Sequence, residues 1–363
     1  MLRCGISDVG ERCSPCLRLQ EVQSKIRECK ELLNKLYIQE AQTKSSVNTV
    51  HDPIIRNLPL ELVSNILTLC NPSPVENDEE IGSSPPTAPL STRRYQFSLG
   101  TVCKTWRNII RSTPQLWTNI YIRFPTRGGE LEQEEFLLLS LRLSGSLPLQ
   151  IQVWLPPDYG PSEGEHTMLS LLVEMLNDHS ERWKTLDLHV TARLLSHFKG
   201  VAPGAPTLKR LRINLFGPRN VINKAFRVSF GLPSPKVVNA YGTSFLSIGI
   251  GWKDVTRVKF GTLNMKDCLR LFRLATQLVN LSIGFLDCEL EGADLSNSEE
   301  FVTASNLASW EVSFSANPDA ILSKLVLPSL VDLEVRELIS LESDSLGHLV
   351  SRSNSPLRRL SLS

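Results

Sequence analysis

The chain has 363 residues, 41% hydrophobic and 21% charged, and its 39 basic and 38 acidic side chains leave a net charge of +1. That balance gives no electrostatic case for nucleic acid or an anionic membrane, and no apolar run reaches the length that spans a bilayer. Eight cysteines, behind an N-terminus without a secretory apolar core, imply reduced thiols and a cytoplasmic and/or nuclear protein rather than a disulfide framework.

Residues 1–53 read as an N-terminal segment. Cys13-Ser14-Pro15-Cys16 is a C-x-x-C, with Cys4 and Cys29 to either side. A zinc site wants a second such pair and a redox site wants a βαβ setting, so free thiols and no metal are expected. Residues 17–44 then read as a helix. Leu19, Val22, Ile26, Cys29, Leu33 and Leu36 alternate in steps of three and four, an a/d seam, while Glu21, Lys25, Arg27, Glu28, Lys30 and Glu31 fill other positions. The seam covers under three heptads, and two readings stay open. One is self-association. The other is an amphipathic helix packed back on the module that follows, preferred because short helices need a packing surface.

Residues 54–120 form the next segment. Pro59 suits the first turn of a helix, where its missing N–H is no loss, with Asn57 or Leu58 as the cap. Two apolar rows follow: Leu62, Ile66 and Leu69, then Val63, Leu67 and Cys70. A surface helix normally turns one stripe to its core. Two adjoining rows fit either a helix buried by its own chain or one shared with a partner. A second helix is expected through the stretch 99–110, with Val102, Trp106 and Ile109 on one face and Leu99, Cys103 and Ile110 on the next. Ser112-Thr113-Pro114 ends it, since the residue before proline avoids the α region. Leu116-Trp117 follows as an apolar body.

Read in order, L-P-x-E-L-x-x-x-I-L, V-C-K-x-W-R-x-I and P-x-L-W resemble the F-box. That small helical module plugs a substrate receptor into a cullin–RING ubiquitin ligase through the Skp adaptor. The resemblance implies that Leu58, Pro59, Leu62, Ile66, Leu67, Val102, Cys103 and Trp106 face the adaptor or form the module core. The residues do not divide themselves between the two roles. A compact F-box has a short connection between its halves, whereas here residues 71–93 intervene. Their prolines, serines and acidic run (Glu76, Asp78, Glu79, Glu80) read as a disordered insertion, tolerated because closure entropy grows slowly with loop length.

Residues 121–363 start with an αβ transition: a helix-like run from 130 to 143, then a strand through Ile151 and Val153. From residue 180 a degenerate L-x-x-L-x-L recurs. Its first copies are Trp183, Leu186, Leu188 and Leu208, Leu211, Ile213. Later copies centre on Val258, Leu281, Trp310, Leu333 and Leu360, and a poor one is centred on Ala240. The steps fall mostly in the range of about 20–29 residues used by leucine-rich repeats. Alternating apolar residues put two side chains on one face of a short strand, and each half-covered unit must stack on its neighbours. The pattern resembles the leucine-rich repeats attached to many F-box proteins, including large fungal families, although the polar residue usual after the strand is mostly absent. The fold class expected is α/β: an N-terminal helix, a small all-α F-box module, then a strand/helix leucine-rich-repeat solenoid with a parallel sheet. Lys209, Arg212, Lys259, Asp332 and Glu334 are the expected solvent-facing contacts on its strands.

Catalytic signatures are missing. Gly249-Ile250-Gly251 runs into Trp252-Lys253-Asp254 without a third glycine, so it fails as a phosphate cradle, and the six histidines are scattered. The expected protein is therefore a non-enzymatic F-box substrate receptor without cofactor. Its partners would be the Skp adaptor and an unknown target protein, not nucleic acid or membrane, with residues 17–44 available for self-association. Two alternatives stand beside it. One is a non-catalytic leucine-rich-repeat scaffold capped by F-box-like helices. The other is a hydrolase or transferase whose site the motifs do not reveal.

Overall fold

The computed structural model describes residues 14–51, 53–71, 95–124, 131–157, 160, 162–202, 207–217, 226–229, 231–288, 301–314, 318–336 and 343–362. The expected insertion beyond Asn71, and Cys4 and Cys13, lie outside them. The chain is mixed α/β and divides into two compact units, one holding residues 14–71 and 95–113, the other running from Pro114 onward.

The smaller unit is helical among its described residues: α1 (Ser14–His51), α2 (Pro53–Asn57), α3 (Leu60–Leu69), α4 (Tyr95–Gly100) and α5 (Lys104–Arg111). The cap expected at Asn57 or Leu58 is instead Pro59 itself. With φ −56° and ψ 147°, its carbonyl accepts from the amides of Leu62 and Val63 at 3.0 and 3.1 Å. Asn57 ends α2, so its side chain is not at the start of α3. The single helix expected through 99–110 is also corrected, since the stretch is divided between α4 and α5. The chain turns at 101–103, and Cys103 adopts an extended backbone (φ −158°, ψ 174°) before α5 begins. The break is held by Arg107, whose Nε donates to the Gly100 carbonyl at 3.0 Å, and by Thr101 Oγ1, which donates to Ser98 O at 2.7 Å. The end of α5 is capped by Thr113, whose hydroxyl donates to Ile109 O at 2.7 Å before Pro114 forbids further helix. The core of this unit is Val63, Leu67, Cys103, Trp106, Ile109 and Ile110.

The larger unit carries β1 (Asn119–Arg123), α6 (Leu131–Leu143), β2 (Leu149–Trp154), α7 (Glu163–Asn177), β3 (Trp183–Thr191), α8 (Ala192–Leu195) and β4 (Arg210–Phe216). Then come β5 (Phe226–Arg227), β6 (Val237–Tyr241), β7 (Ile248–Gly249), β8 (Arg257–Asn264), α9 (Met265–Leu274) and β9 (Asn280–Asp287). The last elements are β10 (Val302–Thr303), β11 (Ser309–Phe314), α10 (Asp319–Leu322), β12 (Leu325–Val326), β13 (Asp332–Arg336), α11 (Ser343–Ser353) and β14 (Arg359–Leu362). Ten strands form one parallel sheet in the order β1-β2-β3-β4-β6-β8-β9-β11-β13-β14, so each strand pairs with the next one down the chain. The short strands pair separately, β5 with β7 and β10 with β12.

Register explains the repeat. Ile120, Ile151, Leu186, Leu211, Val238, Val258, Leu281, Trp310, Leu333 and Leu360 stand side by side across the sheet. The poor copy is therefore centred on Val238, not Ala240, and Ala240 aligns with Ile213. All of this row except Leu360, on the last strand, is buried. Helices α6 to α11 add their apolar stripes to the same core, among them Leu137, Leu172, Leu195, Phe272, Leu322 and Leu349. Just before each strand, backbone amides form a ladder: Lys209 N donates to Lys184 O, Lys236 N to Lys209 O, Thr256 N to Lys236 O and Val279 N to Thr256 O, at 2.8–2.9 Å. Buried polar groups are spent on closing turns. Arg182 Nε donates to Leu147 O at 3.0 Å, and Asn177 Oδ1 accepts from the amides of Lys199 and Gly200 at 3.1 Å. Gly242, at φ +67° after β6, approaches the Leu215 carbonyl so closely that a Cβ has no room. Among the described residues no helix is long and apolar enough to cross a membrane.

Candidate docking face and polar sheet face

In the smaller unit the structure divides the eight motif residues that the sequence left together. Leu67, Cys103 and Trp106 are buried, with Leu58 and Val102 half-buried at their margin. Pro59 is exposed, as are Leu62 (48%) and Ile66 (40%). One further residue extends this stripe: Leu69 (86% exposed) lies one turn beyond Ile66, whereas Leu60 (53%), two residues before Leu62, is exposed on another side of the helix. On α4, Phe97 is also exposed, and that helix is tied to α3 by Tyr95, whose hydroxyl donates to Leu67 O at 3.4 Å. Burial of the Tyr95 ring lifts its phenol above the ordinary range.

Helix α3 thus spends one row, Val63 and Leu67, on its own core and leaves the adjoining row in water. Ser64 flanks the buried row on its far side, and its Oγ lies 3.3 Å from Thr113 Oγ1, which links α3 to the residue that closes α5. Covering a Leu or Ile side chain completely is worth about 1.5–3 kcal/mol each. Leu62, Ile66 and Leu69 together leave an uncovered apolar stripe of three such residues. The Pro114–Trp117 turn, with Leu116 and Trp117 buried, belongs to the larger unit.

In the larger unit the sheet face opposite the core is polar. Strand alternation places Gln152, Asp187, Arg212, Asn239, Lys259, Ser282, Glu311 and Glu334 in one transverse row. Asp332 lies in the neighbouring row, so four of the five expected contacts sit on this face; Lys209 precedes β4 and joins the backbone ladder. Asp187 Oδ2 accepts from Arg212 Nη1 at 3.2 Å and from Gln152 Nε2 at 3.3 Å. Burial lifts its carboxyl above the usual range, and Arg212 offsets this in part. Burial also pushes the Tyr241 phenol up to about 12. On β11 and β13 the sign reverses, and Arg336 bridges Glu311 (2.8 Å) and Glu334 (2.7 Å).

Beside this row lies an aromatic shelf that the motif search missed. Arg123 stacks over Trp154 at 4.4 Å, Trp154 meets His189 at 5.7 Å, and His189 meets Phe216 at 5.1 Å between ring centroids. Asn214 Nδ2 lies 3.2 Å from His189 Nδ1. Burial lowers the pKa of this imidazole, consistent with a neutral ring. The signal was present in the sequence, since Trp154, His189 and Asn214 occupy equivalent positions on successive strands. It required the register of β2, which the repeat pattern did not reach. The whole face presents side chains of mixed charge on the parallel sheet. Among the described residues no three His, Cys, Asp or Glu side chains gather as a metal set.

No protein-family model matches the chain, and no curated protein sequence matches it significantly.

Proposed function

We propose that this chain is an F-box substrate receptor, acting in the cytoplasm and/or nucleus. Residues Leu62, Ile66 and Leu69 dock the Skp adaptor, and the sheet unit, read as a leucine-rich-repeat solenoid, presents its polar face to a target protein. The observation that carries the reading is the split character of α3: one apolar row closes the module core and the next stands exposed. A helix serving only its own domain keeps one stripe. The P-x-L-W sequence and the in-register apolar row are further support. The chain catalyses nothing itself. It raises the effective concentration of target near the ubiquitin-transfer machinery, which is a matter of geometry and tethering. Val63, Leu67, Cys103 and Trp106 serve the module core, and Leu58, Pro59 and Val102 frame the docking stripe.

The test is co-expression of the full chain with the Skp adaptor, followed by size-exclusion chromatography. A one-to-one complex is expected, lost in Leu62→Asp with Ile66→Asp while the rest of the chain stays folded. A folded wild-type chain that ignores the adaptor overturns the reading and leaves the repeat scaffold.

A further inference from the structure

Helix α1 runs from Ser14 to His51, seven residues past the end expected from the sequence. The seam read from Leu19 to Leu36 therefore continues, still in steps of three and four, through Glu40, Thr43, Val47 and Val50. It now spans more than four heptads, above the three to four that sustain a coiled coil. At 1.5 Å per residue it is about 48 Å long. The expectation that this helix packs back on the module is not met: its large apolar seam residues, Leu19 to Leu36 and Val47 and Val50, stand 47–62% exposed. The reason is size. Helices of ten residues or fewer, about 15 Å long, cannot cover such a stripe. A contact with the turn before α5 is made off the seam, where Asn48 Nδ2 donates to Val102 O at 2.6 Å.

The side chains beside the seam say what covers it. In a parallel pair of copies, Glu40 faces Glu40 in the core and Lys25 faces Lys30 at both flanks, so two carboxylates and four ammonium groups meet their like. In an antiparallel pair the seam complements itself. Leu19 meets Val50, Val22 meets Val47 and Leu33 meets Leu36, each from the other copy. Glu40 then faces Cys29, beside the oppositely charged Lys30. The flanking lysines meet neutral groups: Lys25 opposes Ser46 and Lys30 opposes Tyr37. Exposed Leu32 and Tyr37 widen the apolar stripe close to its midpoint, where the two-fold axis falls. We propose that α1 pairs with α1 of a second copy of this chain as an antiparallel two-stranded coiled coil centred between Asn34 and Lys35. This pairing is independent of the adaptor reading.

The test uses the full chain under reducing conditions in size-exclusion chromatography with light scattering at micromolar concentration. The expected mass is twice the 40.6 kDa of one chain. Leu33→Glu with Leu36→Glu is expected to halve it while the unfolding transition of the sheet unit stays in place. Orientation is read by mild oxidation of Glu40→Cys and mass spectrometry of the linked peptides. A link between positions 29 and 40, lost when Cys29→Ser is added, is the expected result. A single-chain mass for the wild type, a dimer untouched by the Leu33 and Leu36 changes, or links joining 29 to 29 or 40 to 40 overturns the proposal.

Discussion

The two units treat their apolar residues in opposite ways. In the sheet unit nine of the ten aligned central positions, from Ile120 to Leu333, are buried, and helices from α6 to α11 seal them. In the helical unit Leu60, Leu62, Ile66, Leu69 and the seam of α1 remain in water, although α3 and α5 close a proper core behind them. Both units are built from the same periodic use of Leu, Ile and Val. The difference lies in whether the chain supplies a covering layer. Where it does, the apolar row measures stability; where it does not, the row is a surface that another protein can use.

That contrast can be broken by substitution. The largest effect is expected at the docking stripe. Leu62→Asp with Ile66→Asp removes two side chains worth about 1.5–3 kcal/mol each on burial, so adaptor affinity should fall more than a hundredfold. Chemical unfolding of the free chain should shift by no more than about 0.5 kcal/mol, because both positions are exposed. Isothermal titration and urea unfolding read the two quantities. The reverse is expected of Trp183, which is fully buried and donates from Nε1 to Leu176 O at 3.2 Å. Trp183→Ala should cost about 3–5 kcal/mol in urea unfolding of the sheet unit and leave adaptor affinity unchanged.

Smaller effects sharpen the same comparison. Ser162 and Glu165 form a reciprocal capping box at the start of α7, with Ser162 N donating to Glu165 Oε2 at 2.8 Å. Ser162→Ala should cost about 1 kcal/mol, again confined to the sheet unit. The least effect concerns His189. Its folded pKa lies below the ordinary 6.5 because burial disfavours the imidazolium. The unfolded chain then binds more protons than the folded one below pH 6.5, so stability is complete above that value and declines as pH falls towards the folded pKa. His189→Gln should flatten this acid limb of the urea midpoint plotted against pH. An unchanged slope would show that other groups govern it.

Much of the sheet was legible in the sequence because its side-chain period is short and repeated. The copies centred on Leu186, Leu211, Val258, Leu281, Trp310, Leu333 and Leu360 fall in one register row. The copy at 237–240 was displaced by two residues, a slip that keeps the same face inward and so leaves hydrophobic alternation undisturbed. Strand β1 and helix α7 were missed. Asn119–Arg123 alternates properly but lies apart from its neighbours by longer spacings, and α7 was announced by Ser162-x-x-Glu165 and by Leu169, Leu172, Val173 and Leu176 at helical spacing. In the helical unit the break at 101–103 was marked only by Gly100, the last residue of α4, because the apolar spacing runs on across it and Cys103 takes an extended backbone. Nor could periodicity tell Leu62 from Val63. Both belong to apolar rows, and only packing against Trp106 and its neighbours decides which row is core. The true length of the α1 seam was cut short because Glu40 and Thr43 interrupt its apolar character without interrupting the helix.

The central claim is that the uncovered row of α3 is a protein-docking surface. Hydrogen exchange of the full chain with and without the Skp adaptor tests it most directly. The account predicts added protection over Leu60–Leu69 and Tyr95–Gly100, with the ten-stranded sheet unchanged. Protection located on the sheet instead, or no protection anywhere at saturating adaptor, would contradict it.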